Sequence, residues 1–582
     1  MPGPGLTESQ TSERLPPRGE ADPTRLLVVA MVLAAGFLLW ETRGQTMLFD
    51  EWSFFADYRG HSPSILLNPF GDNLEIVPIL IYKTVFALFG PASIALRLIT
   101  VALNLTCAGL FYVLMRRRVG GWIAFAAASL LMVLGAAADV VGASLGIAIM
   151  TAVACGLGAL IALERGDQRG DRIACLLLIG ALASNSIGLP FAVGAAVLVV
   201  FSGPRPRAGR WWVAGAPLLL YGIWRLWSLH LDPLGPLAAH PTDITLANIG
   251  TLPTSIADSL ADAVLSITGL YTQPGIAART FSTDFGPPLA VAVVAALVLR
   301  IRRGPALDRR VLAYAAMPLA YWAAIALVAS DRTPSVSRYQ YGGAILLLLL
   351  SAELARDVRI APRLQAAIVA ALLISAAPNA YNIHASSELL RQNARMDRAE
   401  MAAIEIAGDR VPYDLLVEPI GGRFDRSTPA LFSGGQLTPL SDALIAAGRY
   451  RSAVAAFGSP AYSESELDAS PAEARAAADA ELAAALGPHL VPVSGPLRDC
   501  HRRTSAGPGT IELPVPPGGV AIRVAAGGTA TLSLRRFGDS YSIPAGTVAG
   551  GSALELRLPA DGSSRAWGAQ LAYSGRVEVC AP

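Results

Sequence analysis

The apolar run LLVVAMVLAAGFLLW, residues 26–40, is followed within a few residues by QTMLFDEWSFFADYRGHSP, residues 45–63. The first stretch fits a membrane-spanning helix, which needs about 20 mostly apolar residues. The second places Asp50 and Glu51 side by side among aromatic residues. A carboxylate pair in this position is either a hydrated turn at the membrane boundary or part of a catalytic site. The remainder of the chain decides between these two interpretations.

The composition of the chain is that of an integral membrane protein. Of its 582 residues 53% are hydrophobic and only 15% are charged, and the mean hydropathy is +0.47. Soluble domains carry roughly 25% charged residues. A formal net charge of +2 gives no reason to expect a nucleic acid as a partner. The use of Arg in place of Lys, with much Ala and Gly, indicates a bacterial source and hence a bacterial plasma membrane.

The apolar segments predict a polytopic α-helical protein with about eleven spans. The two segments between residues 173 and 202 are short, and they form either one bent element or two tilted helices. The expected spans are 24–41, 92–115, 121–138, 142–163, 173–188, 189–202, 211–230, 286–301, 311–329, 341–355 and 364–383.

The placement of arginine predicts the orientation, because cytoplasmic loops carry the excess of basic residues. Arg-rich connections alternate with Arg-poor ones along this chain. We therefore expect the N-terminus to be cytoplasmic and the region after the last span to be extracytoplasmic. The Arg-rich segments are 116–118, 164–172, 203–210, 300–310 and 356–363.

The segment LEIVPILIYKTVFALFG, residues 74–90, is apolar enough to be mistaken for a span. If it crossed the membrane, every later loop would change sides, so we expect it to lie at the outer surface or to re-enter. Glu75 and Lys83 fit that placement better than a lipid-facing span. Residues 1–23 are rich in Pro, Gly and charge, and they predict a disordered cytoplasmic tail.

The chain changes character after residue 383. We expect a transmembrane domain at 24–383, whose outer loop 42–91 carries the acidic motif, then an extracytoplasmic α/β region at 384–489. Residues 490–582 alternate short apolar runs with Gly, Pro and Ser, which predicts a β-sandwich-like module. Cys500 and Cys580 bracket this module in a compartment where disulfides persist, and we expect them to be bonded.

Several short motifs occur in the order and placement of a known family. The chain resembles the GT-C superfamily of membrane glycosyltransferases, which includes protein O-mannosyltransferases and lipid A aminoarabinose transferases. The resemblance covers residues 24–383. The motifs that carry it are FDEW (49–52), VPILIYKTVFALFG (77–90), ASIALRL (92–98), MRRR (115–118) and SRYQY (337–341).

The resemblance implies a GT-C-like fold and a reaction. A sugar would move from a polyprenyl-phosphate donor in the bilayer to an extracytoplasmic glycan, lipid or protein, with inversion. Such a transfer needs a carboxylate to take the proton from the acceptor hydroxyl, and Asp50 suits that role, with Glu51 beside it. No cofactor is required by the pattern, but the two adjacent carboxylates are also able to chelate Mg²⁺ or Mn²⁺, and that requirement stays open.

The transfer also needs cations that hold the departing phosphate. A guanidinium forms a two-pronged contact with phosphate, which suits Arg338 to this role. Lys83 is the single lysine among 46 basic residues, and we expect it to assist. The full set of expected substrate-binding residues is Arg338, Lys83, Tyr339, Glu75 and Arg97.

Structural interpretations of these residues remain open beside the functional ones. The aromatic residues Phe49, Trp52, Phe54 and Phe55 are expected to form a belt at the membrane interface rather than a sugar platform. We also expect Arg97 to pair with a carboxylate of the first loop, because an arginine within the membrane usually has a partner in the protein.

Two other functions remain open. A transporter would place charged groups deep in several spans, whereas mid-span positions here are almost all Ala, Leu, Val and Gly. A non-catalytic scaffold or sensor would use the spans only as an anchor, and eleven spans exceed that need. An assay with a lipid-linked sugar distinguishes all three functions.

Overall fold

The computed structural model describes most of the chain, and it consists of a helical bundle followed by a mixed α/β domain. The described residues are 23–48, 51–60, 62–71, 73–91, 93–200, 209–231, 246–271, 285–303, 309–327, 336–356, 358–417, 445–493, 495–516 and 519–581.

Each of the eleven expected spans overlaps a helix. Six helices among the described residues are long and apolar enough to cross a membrane. The bundle contains α1 (Thr24–Glu41), α2 (Glu51–Ala56), α3 (Pro63–Leu67), α4 (Ile76–Phe89), α5 (Ser93–Val119), α6 (Gly121–Met132), α7 (Ala138–Val141), α8 (Gly146–Leu163), α9 (Gln168–Leu182), α10 (Gly188–Val200), α11 (Trp212–Ser228), α12 (Leu246–Thr268), α13 (Gly286–Arg303), α14 (Arg309–Leu327), α15 (Ser337–Ala355) and α16 (Pro362–Ala407). The sequence did not predict α12, a helix of 23 residues that lies between the seventh and eighth expected spans and packs on α13, α14 and α15.

The two short segments expected between residues 173 and 202 form two helices rather than one bent element, over the part of them that the structure describes, 173–200. Helix α9 ends at Leu182 and α10 begins at Gly188, with a short turn between them. The turn is tight, because a Cβ at Gly188 would lie 2.7 Å from the backbone carbon of Ala181. A side chain at this position would force the two helices apart.

The Arg-rich segments meet at one end of the bundle. Arg118 donates to Glu353 at 2.6 Å and to Glu164 at 2.8 Å, which joins the ends of α5, α15 and α8. Arg210 pairs with Asp171 at 2.6 Å, and so brings the start of α11 to α9. Segments expected on one side of the membrane therefore lie together. We call this the Arg-rich end, and the opposite end, which carries residues 42–91, the loop end.

Helix α4 lies across the loop end and does not cross the bundle, as predicted. Near its start, the N–H of Val77 donates to the carbonyl of Ala183 in the turn between α9 and α10, at 3.1 Å. At its other end, a Cβ on Gly90 would lie 2.9 Å from the carbonyl oxygen of Phe457 in the C-terminal domain. Both ends of this 14-residue helix are thus held at the same end of the bundle.

Helix α16 is unbroken over 46 residues, so it continues well past the expected end of the last span at residue 383. At about 1.5 Å per residue it is about 69 Å long, roughly twice the thickness of the hydrocarbon core. Its first half belongs to the bundle, and its second half packs against the loop end and the C-terminal domain. The helix thus runs from one layer of the molecule into the other.

The C-terminal domain, which begins after α16, combines three helices with an antiparallel sheet of seven strands in the order β3-β8-β5-β9-β6-β7, with β4 pairing to β9. Strand β9 pairs with β4 along one edge and with β6 and then β5 along the other. The elements are β1 (Leu416–Val417), β2 (Ile445–Ala446), α17 (Ala447–Phe457), α18 (Glu464–Asp468), α19 (Ala472–Leu486), β3 (His489–Pro492), β4 (Arg498–Val515), β5 (Val520–Val524), β6 (Thr529–Arg535), β7 (Ile543–Ala549), β8 (Ala553–Arg557) and β9 (Trp567–Ala581).

The expected disulfide is present. Cys500 and Cys580 are bonded across β4 and β9, with Cα atoms 4.0 Å apart and 80 residues between them in sequence. We expect replacement of both by Ala to lower the free energy of unfolding of the β module by about 2–4 kcal/mol, because the crosslink restricts the unfolded chain. Faster amide hydrogen exchange in β4 and β9 of the full-length protein measures this loss. Cys155→Ala, in α8, serves as the control, and equal exchange in both variants would contradict the prediction.

Candidate functional site

The acidic motif lies at the loop end, where Glu51 begins α2. Asp50 and Phe49 lie outside the described residues. Glu51 is 1% exposed, and one of its carboxylate oxygens accepts a hydrogen bond from the N–H of Leu48 at 3.0 Å. Glu51 is therefore enclosed by protein, which does not fit a hydrated turn at the membrane boundary.

The aromatic residues beside the acidic pair are buried, so the expectation of an interfacial belt is wrong for those that the structure describes. Trp52 and Phe55 are 0% exposed and Phe54 is 2% exposed. The Phe54 ring stacks on Tyr82 of α4 at 4.5 Å, and Trp52 lies 6.1 Å from Tyr450 of α17. Helix α2 is short and lies between α4 and α17, so its aromatic side chains fill the space between the bundle and the C-terminal domain.

Lys83 holds the end of α2. Its ammonium donates to the backbone carbonyls of Tyr58 at 3.0 Å, of Arg59 at 3.3 Å and of Gly60. Burial lowers the pKa of Lys83 from its usual value. Carbonyls at the end of a helix carry partial negative charge, and a cation there stabilises it. The expected contact of Lys83 with a donor phosphate stays a prediction, and in this structure its partners are carbonyls.

Two further residues from the expected substrate-binding set have structural partners. Asn185, in the turn between α9 and α10, donates to Glu75 at 3.2 Å. Arg97, near the start of α5, donates to the carbonyl oxygen of Thr42 at 2.7 Å. This bond goes to the backbone that leaves α1, and it holds the beginning of the first loop against α5. The expected pairing of Arg97 with a carboxylate of that loop stays a prediction, because Asp50 and Asp72 lie outside the described residues.

Arg338 and Tyr339 lie in the first turn of α15, also at the loop end. The guanidinium carbon of Arg338 lies 5.5 Å from the centre of the Tyr339 ring, and the Tyr321 hydroxyl donates to the Tyr339 carbonyl at 3.1 Å. The preceding residue, Ser337, accepts a hydrogen bond from the N–H of Asp139 at 3.3 Å. The start of α15 is therefore attached to α7.

The segment after α7 connects Arg338 with the acidic loop. Ala143 and Leu48 belong to one small apolar cluster, together with Leu390 and Ala394 of α16. Leu48 of this cluster bonds to Glu51. Ala143 of the same cluster follows α7, and α7 bonds to the start of α15, which carries Arg338. The structure thus gathers Glu51 and Arg338 at one end of the bundle from positions 287 residues apart in sequence.

The sequence analysis missed Asp397, in the second half of α16. It is 0% exposed and accepts a hydrogen bond from the Trp52 indole N–H at 3.2 Å. Burial, and then the neighbouring carboxylates Glu400 and Glu51, raise the pKa of Asp397 well above its usual value. A signal was present, because Asp397 falls within the apolar stripe of α16 formed by Leu390, Ala394, Met401 and Ile404, where a carboxylate is out of pattern.

The described residues contain no group of three or more His, Cys, Asp or Glu side chains arranged to hold a metal ion. Asp50 is not among those residues. A requirement for Mg²⁺ or Mn²⁺ at Asp50 and Glu51 therefore stays a prediction.

Comparison with known proteins finds no matching family model and no matching curated protein. Among solved structures, the chain is similar to ArnT from Cupriavidus metallidurans in the apo state, at 13% identity and a TM-score of 0.42. The match covers 68% of this chain and 82% of that one.

Proposed function

We propose that this protein is a membrane glycosyltransferase that moves a sugar from a polyprenyl-phosphate donor to an extracytoplasmic glycan, lipid or protein. The observation that carries the proposal is the close packing of the first loop at the loop end. Leu48, on one side of Asp50, and α2, on the other, are fixed there by contacts from the bundle, from α4 and from the C-terminal domain. Such fixation is what a catalytic carboxylate needs and what a simple connecting turn does not.

The chemistry assigns Asp50 the role of general base. It takes the proton from the acceptor hydroxyl while that oxygen attacks the anomeric carbon, and the sugar leaves polyprenyl phosphate with inversion. The acceptor reaches Asp50 from outside the membrane, whereas the lipid tail of the donor remains in the bilayer. The reaction therefore requires a site at headgroup depth, and the loop that follows the first span is expected at that depth.

Arg338 is assigned to the phosphate that leaves. Negative charge builds on the phosphate as the glycosidic bond breaks, and a guanidinium at this point stabilises the transition state. Arg338 is half-buried at the start of α15, so a phosphate bound to it would be partly shielded from water. Shielding strengthens the attraction between the two charges.

The contacts of the C-terminal domain also favour an enzyme over a scaffold. Asp57, at the end of α2, forms an ion pair of 2.9 Å with Arg449 of α17. The indole of Trp52 lies in the same apolar core as the strands of the β module. A scaffold that uses the spans only as an anchor has no need to pack its outer domain on the first loop.

The proposal is tested with purified protein and radiolabelled polyprenyl-phosphate sugars, by following the label into cell-envelope glycan, lipid or protein. We expect Arg338→Ala to lower kcat/KM by about 10–100-fold, because charge-assisted hydrogen bonds contribute roughly 1.5–3 kcal/mol. Both a higher KM for the donor and a lower kcat should contribute.

Arg359→Ala, an exposed change at the Arg-rich end, is the matched control and should leave kcat/KM unchanged. Absence of transfer from every donor by the folded wild-type protein would overturn the proposed function. Equal kcat/KM for Arg338→Ala and the wild type would remove Arg338 from the site.

A further inference from the structure

We propose that Asp397 is a positioning residue that holds the acidic segment of the first loop against α16 through Trp52. The inference rests on the proposed function, because it assigns Asp397 a part in placing the general base of that reaction. Asp397 itself touches neither donor nor acceptor in this assignment. It acts through α2, which begins at the residue after Asp50.

The contact between Asp397 and Trp52 joins parts of the chain 345 residues apart. Trp52 is fixed further by its edge-to-face contacts with Phe55 at 6.4 Å and with Tyr450 at 6.1 Å. An indole that is enclosed on these sides has little freedom to rotate. Its N–H therefore fixes the orientation of α2 relative to α16.

The second oxygen of Asp397 indicates that this site is not simply structural. Among the residues that the structure describes, its Oδ1 atom is buried and has no hydrogen-bond partner, and the same holds for Asn393 Oδ1, one turn earlier on α16, and for Ser53 Oγ, next to Trp52. Buried polar atoms without partners are costly and rare in native proteins. A cost of this kind is tolerated where polar groups serve a site, and these three atoms belong to the helices that flank the acidic segment.

Burial and the neighbouring carboxylates both raise the pKa of Asp397. Glu51 and Glu400 are both buried, and each raises the pKa of Asp397, which burial has already raised. Carboxylates packed together do not all ionise, because like charges in a shielded site repel strongly. The pKa of Asp397 is thus shifted in the direction that disfavours a further negative charge beside Glu51. The hydrogen bond from the Trp52 N–H is the contact that positions α2.

Helix α16 links this contact to the rest of the molecule. Its second half packs along α19, and Ala399, Met401 and Ala402 lie in the core of the C-terminal domain. Asp397 sits on that half, between the bundle and the domain. The C-terminal domain thus holds the catalytic loop through α16 and does not only cover it.

The experiment compares Asp397→Leu, Asp397→Asn and Trp52→Phe in the full-length protein. Asparagine keeps a neutral oxygen acceptor, so Asp397→Asn should retain kcat within about twofold. Leucine removes the acceptor, and a displacement of about 1 Å at a reacting group costs about 10²-fold, so Asp397→Leu should lower kcat by that order with KM for the donor unchanged. Trp52→Phe removes the donor N–H together with one of the two rings. Its kcat and its KM for the donor should resemble those of Asp397→Leu.

Amide hydrogen exchange in residues 51–56 gives a second result that does not depend on activity. It should be faster in Asp397→Leu and Trp52→Phe than in the wild type and in Asp397→Asn. Asp171→Leu is the control, since Asp171 is a buried carboxylate of α9 that pairs with Arg210 at the Arg-rich end, opposite the loop end where α2 lies. It should destabilise the bundle at the Arg-rich end and leave exchange in α2 unchanged.

Unchanged exchange in α2 of both Asp397→Leu and Trp52→Phe would overturn the inference, whatever the enzyme assay gives. Retention of kcat by Asp397→Leu would also overturn it, as would a loss of kcat in Asp397→Asn equal to that in Asp397→Leu. Absence of transfer by the wild type would overturn the proposed function instead, and the exchange result would then decide the positioning contact alone.

Discussion

Replacing Asp50 with Asn is expected to lower kcat for sugar transfer by about 10²–10⁴-fold, which is the usual contribution of general-base catalysis. The change keeps the size and shape of the side chain but removes its ability to accept a proton. The protein should remain folded and inserted in the membrane. The measurement is the rate of transfer from a polyprenyl-phosphate sugar under saturating donor.

Two further variants test whether the loss of kcat is specific to Asp50. Glu51→Gln should cost less than Asp50→Asn, because Gln still offers an oxygen to the N–H of Leu48, unless a divalent cation bridges the two carboxylates. Asp409→Asn alters an exposed carboxylate of the C-terminal region and should leave kcat unchanged. If folded Asp50→Asn protein retains most of the transfer rate, Asp50 is not the base and FDEW is a structural turn.

Replacing Arg118 with Leu is expected to destabilise the bundle by about 3–5 kcal/mol, because it leaves buried charge without its partner. The side chains of Arg118 and Glu353 are 3% and 2% exposed and lie 2.6 Å apart. Glu164 and the Tyr314 hydroxyl also lose a donor in this variant. The measurement is the midpoint of thermal unfolding of the purified protein in detergent.

Arg117→Leu is the matched control, one residue away on the same helix. Arg117 also pairs with Glu164, at 2.6 Å, but its side chain is 51% exposed. Exposed ion pairs contribute roughly 0–1 kcal/mol, since water already stabilises the separated charges. Similar losses of stability in the two variants would show that burial at Arg118 does not set the strength of this network.

Much of the bundle was predictable from the sequence because its determinants are local. A run of apolar residues fixes a span, and Arg placement fixes which connections share a side. The Arg-rich segments do lie together, and α4 does not cross. The pairing of Cys500 with Cys580 was also predictable, since these are the two cysteines outside the spans.

The site was less predictable because its contacts join distant parts of the chain. The sequence around Trp52 gives no sign that Tyr450 will cover it, so exposure to the membrane interface was the natural expectation. Lys83 has the charge of a phosphate ligand, but the carbonyls that it contacts are visible only in the folded loop. Asp397 interrupts an apolar stripe, yet the helix alone does not tell what the interruption faces.

The unbroken course of α16 makes it a stiff rod that runs from the Arg-rich end into the C-terminal domain. A tilt of that domain therefore also turns the second half of the rod, which packs against it. Pro378 lies inside the helix, close to Gly269, and it removes one backbone hydrogen bond there. The rod is consequently most compliant at this point, so a tilt of its second half bends the helix there before it moves the first half within the bundle.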